Sequence, residues 1–78
     1  MPHRILSPLP GTFYQRPSPD LPPYKAPGDT VAVGEVIGLV EVMKSFHEVV
    51  ADAAGTLTAY LADQEEPIMA GQPLAELD

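Results

Sequence analysis

The sequence predicts a single all-β domain, residues 1–78, whose short strands close into a flattened barrel or sandwich. Three observations support this class. Apolar residues, mostly valine, leucine, isoleucine and alanine, occur in short runs separated by glycine and proline turn signals. No segment carries the sustained 3.6-residue apolar period of a helix. The chain also contains a weak internal repeat, which favours two similar halves.

Two sequence matches define the repeat. VAVGEVIGLV at residues 31–40 aligns with IMAGQPLAEL at 68–77, so Gly34 falls on Gly71 with an offset of 37 (71 − 34). PGTFY at 10–14 aligns with AGTLT at 54–58 with an offset of 44 (55 − 11). The first half therefore has seven extra residues (44 − 37), which we place at residues 17–23. Prolines in this segment fix φ and remove backbone donors, so we expect a stiff protrusion. Gly34 and Gly71 are expected in equivalent turns with positive φ.

Seven strands are predicted in chain order, with turn signals between them. The first lies inside a proline-rich region, and residues 1–6 before it are expected to form an N-terminal extension. Residues 57–67 have some helical propensity, but their β-rich neighbours and Pro67 favour a strand that runs into a loop. The predicted strands are residues 11–14, 30–31, 36–42, 45–51, 55–61, 68–69 and 74–77.

The composition argues against several classes of function. A net charge of −7 disfavours nucleic acid and anionic membrane surfaces as partners. No apolar run approaches the ~20 residues of a membrane span, and no signal peptide is evident, so a cytoplasmic location is expected. The sequence shows no nucleophile–base pair and no phosphate-cradling glycine loop, so no catalytic residues are predicted. His47 is a lone histidine on its predicted strand with no second ligand nearby, and the chain has no cysteine, so no metal site is predicted.

Met43 and Lys44 are the residues left between two predicted strands, and they are unusual turn residues. Two-residue hairpin loops favour Asn-Gly or Asp-Gly because a type I′ turn needs φ > 0 at both positions. A sequence that violates local turn chemistry often does so at a functional site. Lys44 could be a surface charge, a catalytic amine or an attachment point for a carried group. The catalytic alternative is disfavoured because nearby Glu41 and Glu48 would keep the amine protonated.

EVMKSF at residues 41–46 resembles the biotin-attachment motif, a Met-Lys pair with an acidic residue two positions before the methionine. SPLPGTFYQRPSPD at residues 7–20 resembles the start of the biotinyl domain in biotin carboxyl carrier proteins of bacterial acetyl-CoA carboxylase. GDTVAVGEVIGLVEVMK at 28–44 resembles the strands leading to their lysine, and ADAAGTLTAYLADQEEPIMAGQPLAEL at 51–77 resembles their second half. The resemblance therefore covers most of the chain.

The resemblance implies a specific architecture and function. It implies two four-stranded antiparallel sheets with quasi-two-fold symmetry, and it makes residues 17–23 the "thumb", a protrusion that bends toward biotin. It implies covalent biotin on Lys44, attached by biotin protein ligase with ATP. The domain would then carry a carboxyl group from biotin carboxylase to carboxyltransferase. Met43 and Glu41 would contribute to recognition of the attachment site, whereas Lys25 matches no attachment pattern.

The sequence departs from the family pattern at two positions, and three alternative functions remain open. Ser45 stands where many members have a second methionine, and Arg16 stands where a small hydroxyl residue is common, which puts a thumb hydrogen bond to biotin in doubt. Met1 and the lack of a long Ala/Pro-rich linker lead us to expect a freestanding short carrier. The alternatives are a lipoyl-type carrier, an unmodified interaction module, and a carboxylase for another acyl-CoA or a small molecule such as urea.

Overall fold

The computed structural model describes residues 2–78, which contain eight strands. Within these residues no helix is long and apolar enough to cross a membrane. The strands, in chain order, are β1 (His3–Leu6), β2 (Gly11–Tyr14), β3 (Thr30–Val31), β4 (Val36–Val42), β5 (Ser45–Val50), β6 (Gly55–Tyr60), β7 (Glu66–Ile68) and β8 (Pro73–Leu77).

The strands form two four-stranded antiparallel sheets, as expected. One sheet has the order β1-β8-β6-β3 and the other the order β5-β4-β2-β7. Alternating side chains from both sheets meet in one apolar core, which is the arrangement that buries one face of each sheet. The largest fully buried side chains are Phe13, Ile37, Leu57, Leu74, Leu77, Val40 and Val49.

The two halves are related by a pseudo-two-fold, which confirms the repeat. Exchanging each strand with the one four places away converts one sheet order into the other. Gly34 and Gly71 both have positive φ, at 89° and 83°. Gly34 N–H donates to the Ala51 carbonyl and Gly71 N–H donates to the Ser7 carbonyl, both at 2.8 Å. The acceptors are separated by the predicted offset of 44 (51 − 7), so the symmetry extends to individual turn hydrogen bonds.

The expectation that residues 1–6 form an extension is wrong for His3–Leu6, which is strand β1. This strand pairs with β8, with His3 opposite Leu77 and Ile5 opposite Ala75. It was missed because it is a short edge strand between prolines, with only Ile5 buried, and because its partner lies about 70 residues away in sequence. β1 supplies the eighth strand that the symmetry requires.

The remaining strands differ from prediction only at their ends. β2, β3 and β4 have the predicted bounds, whereas β5 and β6 each end one residue earlier. β7 is shifted toward the N-terminus and includes Pro67, which is tolerated because β7 is an edge strand. β8 begins one residue earlier than predicted, at Pro73. Proline is tolerated as the first residue of a strand, although it has no N–H to donate.

The β4–β5 hairpin projects from the end of the sandwich opposite the chain termini. His3 Nε2 lies 2.7 Å from Asp52 Oδ1, so the N-terminal strand starts beside the far end of β5. Asp52 lies seven positions after Ser45 at the hairpin (52 − 45), a span of about 23 Å at the usual rise of a strand. Lys44 therefore lies at the end of the sandwich away from the chain termini.

Candidate functional site

The hairpin between β4 and β5 forces Met43 and Lys44 into a strained conformation. Val42 pairs with Ser45, so only these two residues form the turn. Their φ angles are 49° and 69°, as a type I′ turn requires. The left-handed region costs roughly 1–2 kcal/mol per residue that has a Cβ. The conflict with turn chemistry that the sequence indicated is therefore present in the folded chain.

The two turn side chains extend into solvent. Met43 is 94% exposed and Lys44 is also exposed. Among the ion pairs within residues 2–78, none involves Lys44, although Glu41 and Glu48 are close in sequence. An exposed amine with no ion-pair partner at the tip of a hairpin can enter the active site of another enzyme without first breaking a contact with its own domain.

The second lysine of the chain is held by its neighbours. Lys25 Nζ donates to the Thr30 carbonyl at 3.0 Å and lies 2.6 Å from Glu35 Oε2. The Lys25 hydrogen bond is the main reason that the pKa of Glu35 lies below its usual value. Lys25 is thus engaged in linking the segment before β3 to the turn after it, which agrees with its lack of an attachment pattern.

Glu41 lies on the hairpin three residues before Lys44, but its carboxylate is bound toward β2. Tyr14 Oη donates to Glu41 Oε1 at 2.8 Å. This hydrogen bond is the largest cause of the raised pKa of Tyr14, followed by burial and by the nearby charges of Glu41 and Glu65. The Tyr14 ring also packs against Phe46, with ring centroids 5.9 Å apart. Glu41, Phe46 and Tyr14 therefore form one contact group beside the turn.

Tyr14 and Phe46 were not predicted from the sequence to belong to the site. The signal that could have found them is strand register. Tyr14 pairs with Leu39, two residues before Glu41, and Phe46 lies directly opposite Glu41. Residues at these positions share one face of a sheet and reach each other directly or diagonally. That register was not predicted from the sequence, although the bounds of β2 and β4 were.

The proline-rich loop after β2 adds a pocket to this side of the hairpin. The loop is closed by a hydrogen bond of 2.9 Å from Tyr24 N–H to the Gln15 carbonyl, and Leu21 N–H donates to the Ser18 carbonyl within it. Residues 16–19 form one wall of a pocket of about 140 Å³, and Tyr14 and Phe46 line it from the sheet. Within the described residues, Arg16 Nε is buried without a hydrogen-bond partner.

The hairpin provides an amine, a thioether, an aromatic ring and a bound carboxylate. His47 is exposed on β5 opposite Val40. Within residues 2–78, the structure brings together no three histidine, aspartate or glutamate side chains that could hold a metal ion. The arrangement is suited to presenting an amine for modification.

Comparison with known proteins gives a family match over nearly the whole chain. Residues 3–77 match the family model Biotin_lipoyl, described as "Biotin-requiring enzyme". The chain is 43% identical over 70 residues to the biotin carboxyl carrier protein of acetyl-CoA carboxylase from Chlamydia trachomatis, a match that covers 90% of this chain and 43% of the relative. It is 42% identical over 73 residues to the protein of the same name from Streptococcus pyogenes, which covers 94% and 44%. A chloroplastic relative from Arabidopsis thaliana is 38% identical over 90% of this chain and 28% of its own length.

The chain thus spans from about a quarter to under a half of the length of these three relatives.

Solved structures agree on the fold. The urea carboxylase of Kluyveromyces lactis matches all of this chain with a TM-score of 0.82 at 24% identity, over 6% of its own length. A single-chain, multi-domain long-chain acyl-CoA carboxylase matches 96% of this chain with a TM-score of 0.77 at 20% identity, over 7% of its own length.

Proposed function

Because the chain belongs to the biotin/lipoyl attachment family of biotin-requiring enzymes, we propose that it is a biotin carboxyl carrier with biotin attached to Lys44. The observation that carries this proposal is the position of Lys44. Lys44 is exposed and lies on a strained two-residue turn, at the end of the sandwich away from the termini. None of the ion pairs found within residues 2–78 involves it. Attachment would form an amide between Lys44 Nζ and the carboxyl group of biotin. A biotin protein ligase would first join biotin to ATP as biotinyl-AMP with release of pyrophosphate, and the amine would then displace AMP and lose a proton.

The domain acts as a carrier rather than as a catalyst in this proposal. Biotin supplies the chemistry of carboxyl transfer, and the protein supplies presentation. Tethering makes each visit to an active site intramolecular, which raises the effective concentration of the carried group. A biotin carboxylase would load the carboxyl group and a carboxyltransferase would receive it. A rigid sandwich with its lysine at one end and its termini at the other allows the tip to enter each site in turn.

Met43 and Glu41 are proposed to take part in recognition of the attachment site. Met43 offers an exposed apolar side chain directly beside the lysine. Glu41 offers a carboxylate whose position is restrained by Tyr14. Both lie within three residues of Lys44, so a ligase that reaches the amine would contact them as well.

Acetyl-CoA is the proposed acceptor, and the cytoplasm the proposed location. Similarity to carrier proteins of acetyl-CoA carboxylase supports this choice, and so does the proline-rich loop beside the hairpin. This assignment would place the chain in fatty acid synthesis. Acceptors such as urea or a long-chain acyl-CoA are the alternatives, since the domain fold also occurs in those carboxylases.

A lipoyl-type carrier is the second candidate, because the matching family covers both cofactors. Lipoyl carriers usually have aspartate before the lysine, whereas this chain has Met43. An unmodified interaction module of the same fold is the third candidate.

Reconstitution tests the carrier function and the acceptor together. The biotinylated chain is combined with the biotin carboxylase and carboxyltransferase of a bacterial acetyl-CoA carboxylase, together with acetyl-CoA, ATP and labelled bicarbonate. We expect labelled malonyl-CoA with wild type and none with Lys44→Arg. Label on the carrier without malonyl-CoA would support carboxyl carriage but contradict acetyl-CoA as the acceptor, and no label on the carrier would contradict the carrier role.

A further inference from the structure

We propose that Tyr14 is a positioning residue for the modification of Lys44 and that it acts by fixing the carboxylate of Glu41. This inference rests on the proposed function, because it concerns how a modifying enzyme recognises the same hairpin. Tyr14 lies 30 residues before Lys44 in sequence, on a strand that does not form the hairpin.

The contact between Tyr14 and Glu41 has the features of a positioning device. Tyr14 Oη donates to Glu41 Oε1 at 2.8 Å, and a hydrogen bond to an ionised acceptor is stronger than a neutral one. The bond joins β2 to the end of β4 that leads into the turn. Tyr14 is paired with Leu39, two residues before Glu41 on the same strand, so the bond runs diagonally between β2 and β4. The glutamate side chain, which would otherwise sample several rotamers, is thereby restricted to one region of the sheet face.

The donor is itself held in place from the other side. The Tyr14 ring packs at 57° against Phe46, which lies directly opposite Glu41 on β5. Three strands, β2, β4 and β5, therefore contribute one side chain each to the contact group. Tyr14 and Glu65 line the same pocket, but the Tyr14 hydroxyl makes its hydrogen bond to Glu41.

The restraint leaves part of the carboxylate available. Only Oε1 of Glu41 takes part in the hydrogen bonds within residues 2–78, so Oε2 can accept a donor from a bound enzyme. The restraint also directs Glu41 toward β2, and among the ion pairs of residues 2–78 none joins its carboxylate to the Lys44 amine. A preformed arrangement of this kind increases affinity because less side-chain freedom is lost on binding.

Kinetics of ligation test this role. Apo carrier is incubated with a biotin protein ligase, biotin and ATP, and initial rates are measured by intact mass over a range of carrier concentrations. Tyr14→Phe keeps the ring against Phe46 and removes only the hydroxyl. We expect it to raise KM for the carrier by about 3–10-fold while kcat changes less than about twofold. The variant loses a hydrogen bond that positions Glu41 for binding, and it leaves the reacting amine of Lys44 unchanged. Glu41→Ala removes the carboxylate itself and should raise KM at least as much.

A double-mutant cycle shows whether Tyr14 acts through Glu41. In Tyr14→Phe/Glu41→Ala the two effects should not multiply, because without the carboxylate the Tyr14 hydroxyl has no group left to position. Glu41→Asp retains the charge but is too short to keep the 2.8 Å bond, and it should behave like Tyr14→Phe. Tyr60→Phe is the matched control. It removes another bonded hydroxyl, the donor to the Ile37 carbonyl at the start of β4, and should leave KM unchanged.

The outcomes separate the two levels of the proposal. Suppose that the ligase biotinylates the wild type. An unchanged KM in Tyr14→Phe, or KM increases that multiply in the double variant, would then overturn the positioning role alone. Failure of folded wild type to accept biotin would overturn the proposed function and the positioning role together. Thermal unfolding of each variant, expected to remain cooperative, confirms that the rates belong to folded protein.

Discussion

Replacing Met43-Lys44 by Asn-Gly is expected to stabilise the domain, because the natural pair holds two residues at positive φ. Glycine at position 44 removes a penalty of roughly 1–2 kcal/mol and adds about 0.5–1 kcal/mol of unfolded-state entropy cost. Asparagine tolerates the left-handed region better than methionine and contributes a further few tenths of a kcal/mol. The sum is a gain of about 1 kcal/mol, which corresponds to about 4–8 °C in Tm for a domain of this size.

Thermal and urea unfolding followed by circular dichroism would measure this gain. Lys44→Gln is the control, since it removes the same positive charge from an acidic chain while keeping a Cβ at positive φ. It should show no gain in Tm. The strain argument would be refuted if Asn-Gly gave no increase, or if Lys44→Gln gave the same increase, since the effect would then come from charge rather than from backbone conformation.

Three further predictions follow from the structure. Gly34→Ala and Gly71→Ala should each destabilise the domain by about 0.5–1 kcal/mol in urea unfolding, which is the left-handed penalty of roughly 1–2 kcal/mol less the gain of about 0.5–1 kcal/mol from a less flexible unfolded chain. Both residues have positive φ, and an added Cβ would meet no atom within 4 Å, so only the backbone conformation contributes; unequal effects would contradict the equivalence of the two turns. Burial raises the pKa of Tyr60 to about 12, so stability should be complete below pH ~10 and fall by about 1–2 kcal/mol, after allowance for partial solvent screening, as the pH rises toward 12. Tyr60→Phe should reduce the alkaline loss to the part contributed by Tyr14, whose pKa is also raised, and an unchanged pH profile would count against the burial argument. Limiting acetylation followed by peptide mapping should label Lys44 before Lys25, whose amine is held by Glu35 and the Thr30 carbonyl; the reverse order would contradict the contrast between the two lysines.

The sequence was sufficient for the features that local rules control. Gly34 and Gly71 occupy equivalent turns with positive φ, a conformation that favours glycine, so the repeat is visible in the sequence. Two short matches therefore predicted the two-fold repeat and the seven extra residues of the first half, which agree with the turn hydrogen bonds. The hairpin was predictable for the opposite reason. Met43 and Lys44 violate the preference of its turn, and their φ angles show that the violation is real.

Features that depend on distant pairing were not predictable in the same way. Strand β1 has only one buried residue, Ile5, and gains its order from pairing with β8 at the other end of the chain. The hydrogen bond between Tyr14 and Glu41 depends on the register of β2 against β4, which the bounds of the strands do not determine. A shift of one residue would place Tyr14 on the opposite face of the sheet and abolish the contact.

Intact mass after co-expression with a biotin protein ligase, in the presence of biotin, tests the central claim most directly. Wild type, Lys44→Arg and Lys25→Arg would be compared, and each would be shown to be folded. The account predicts that wild type and Lys25→Arg each gain one biotinyl group and that Lys44→Arg gains none. Biotin on Lys44→Arg, or a folded wild type that remains unmodified, would contradict the assignment of Lys44 as the attachment site.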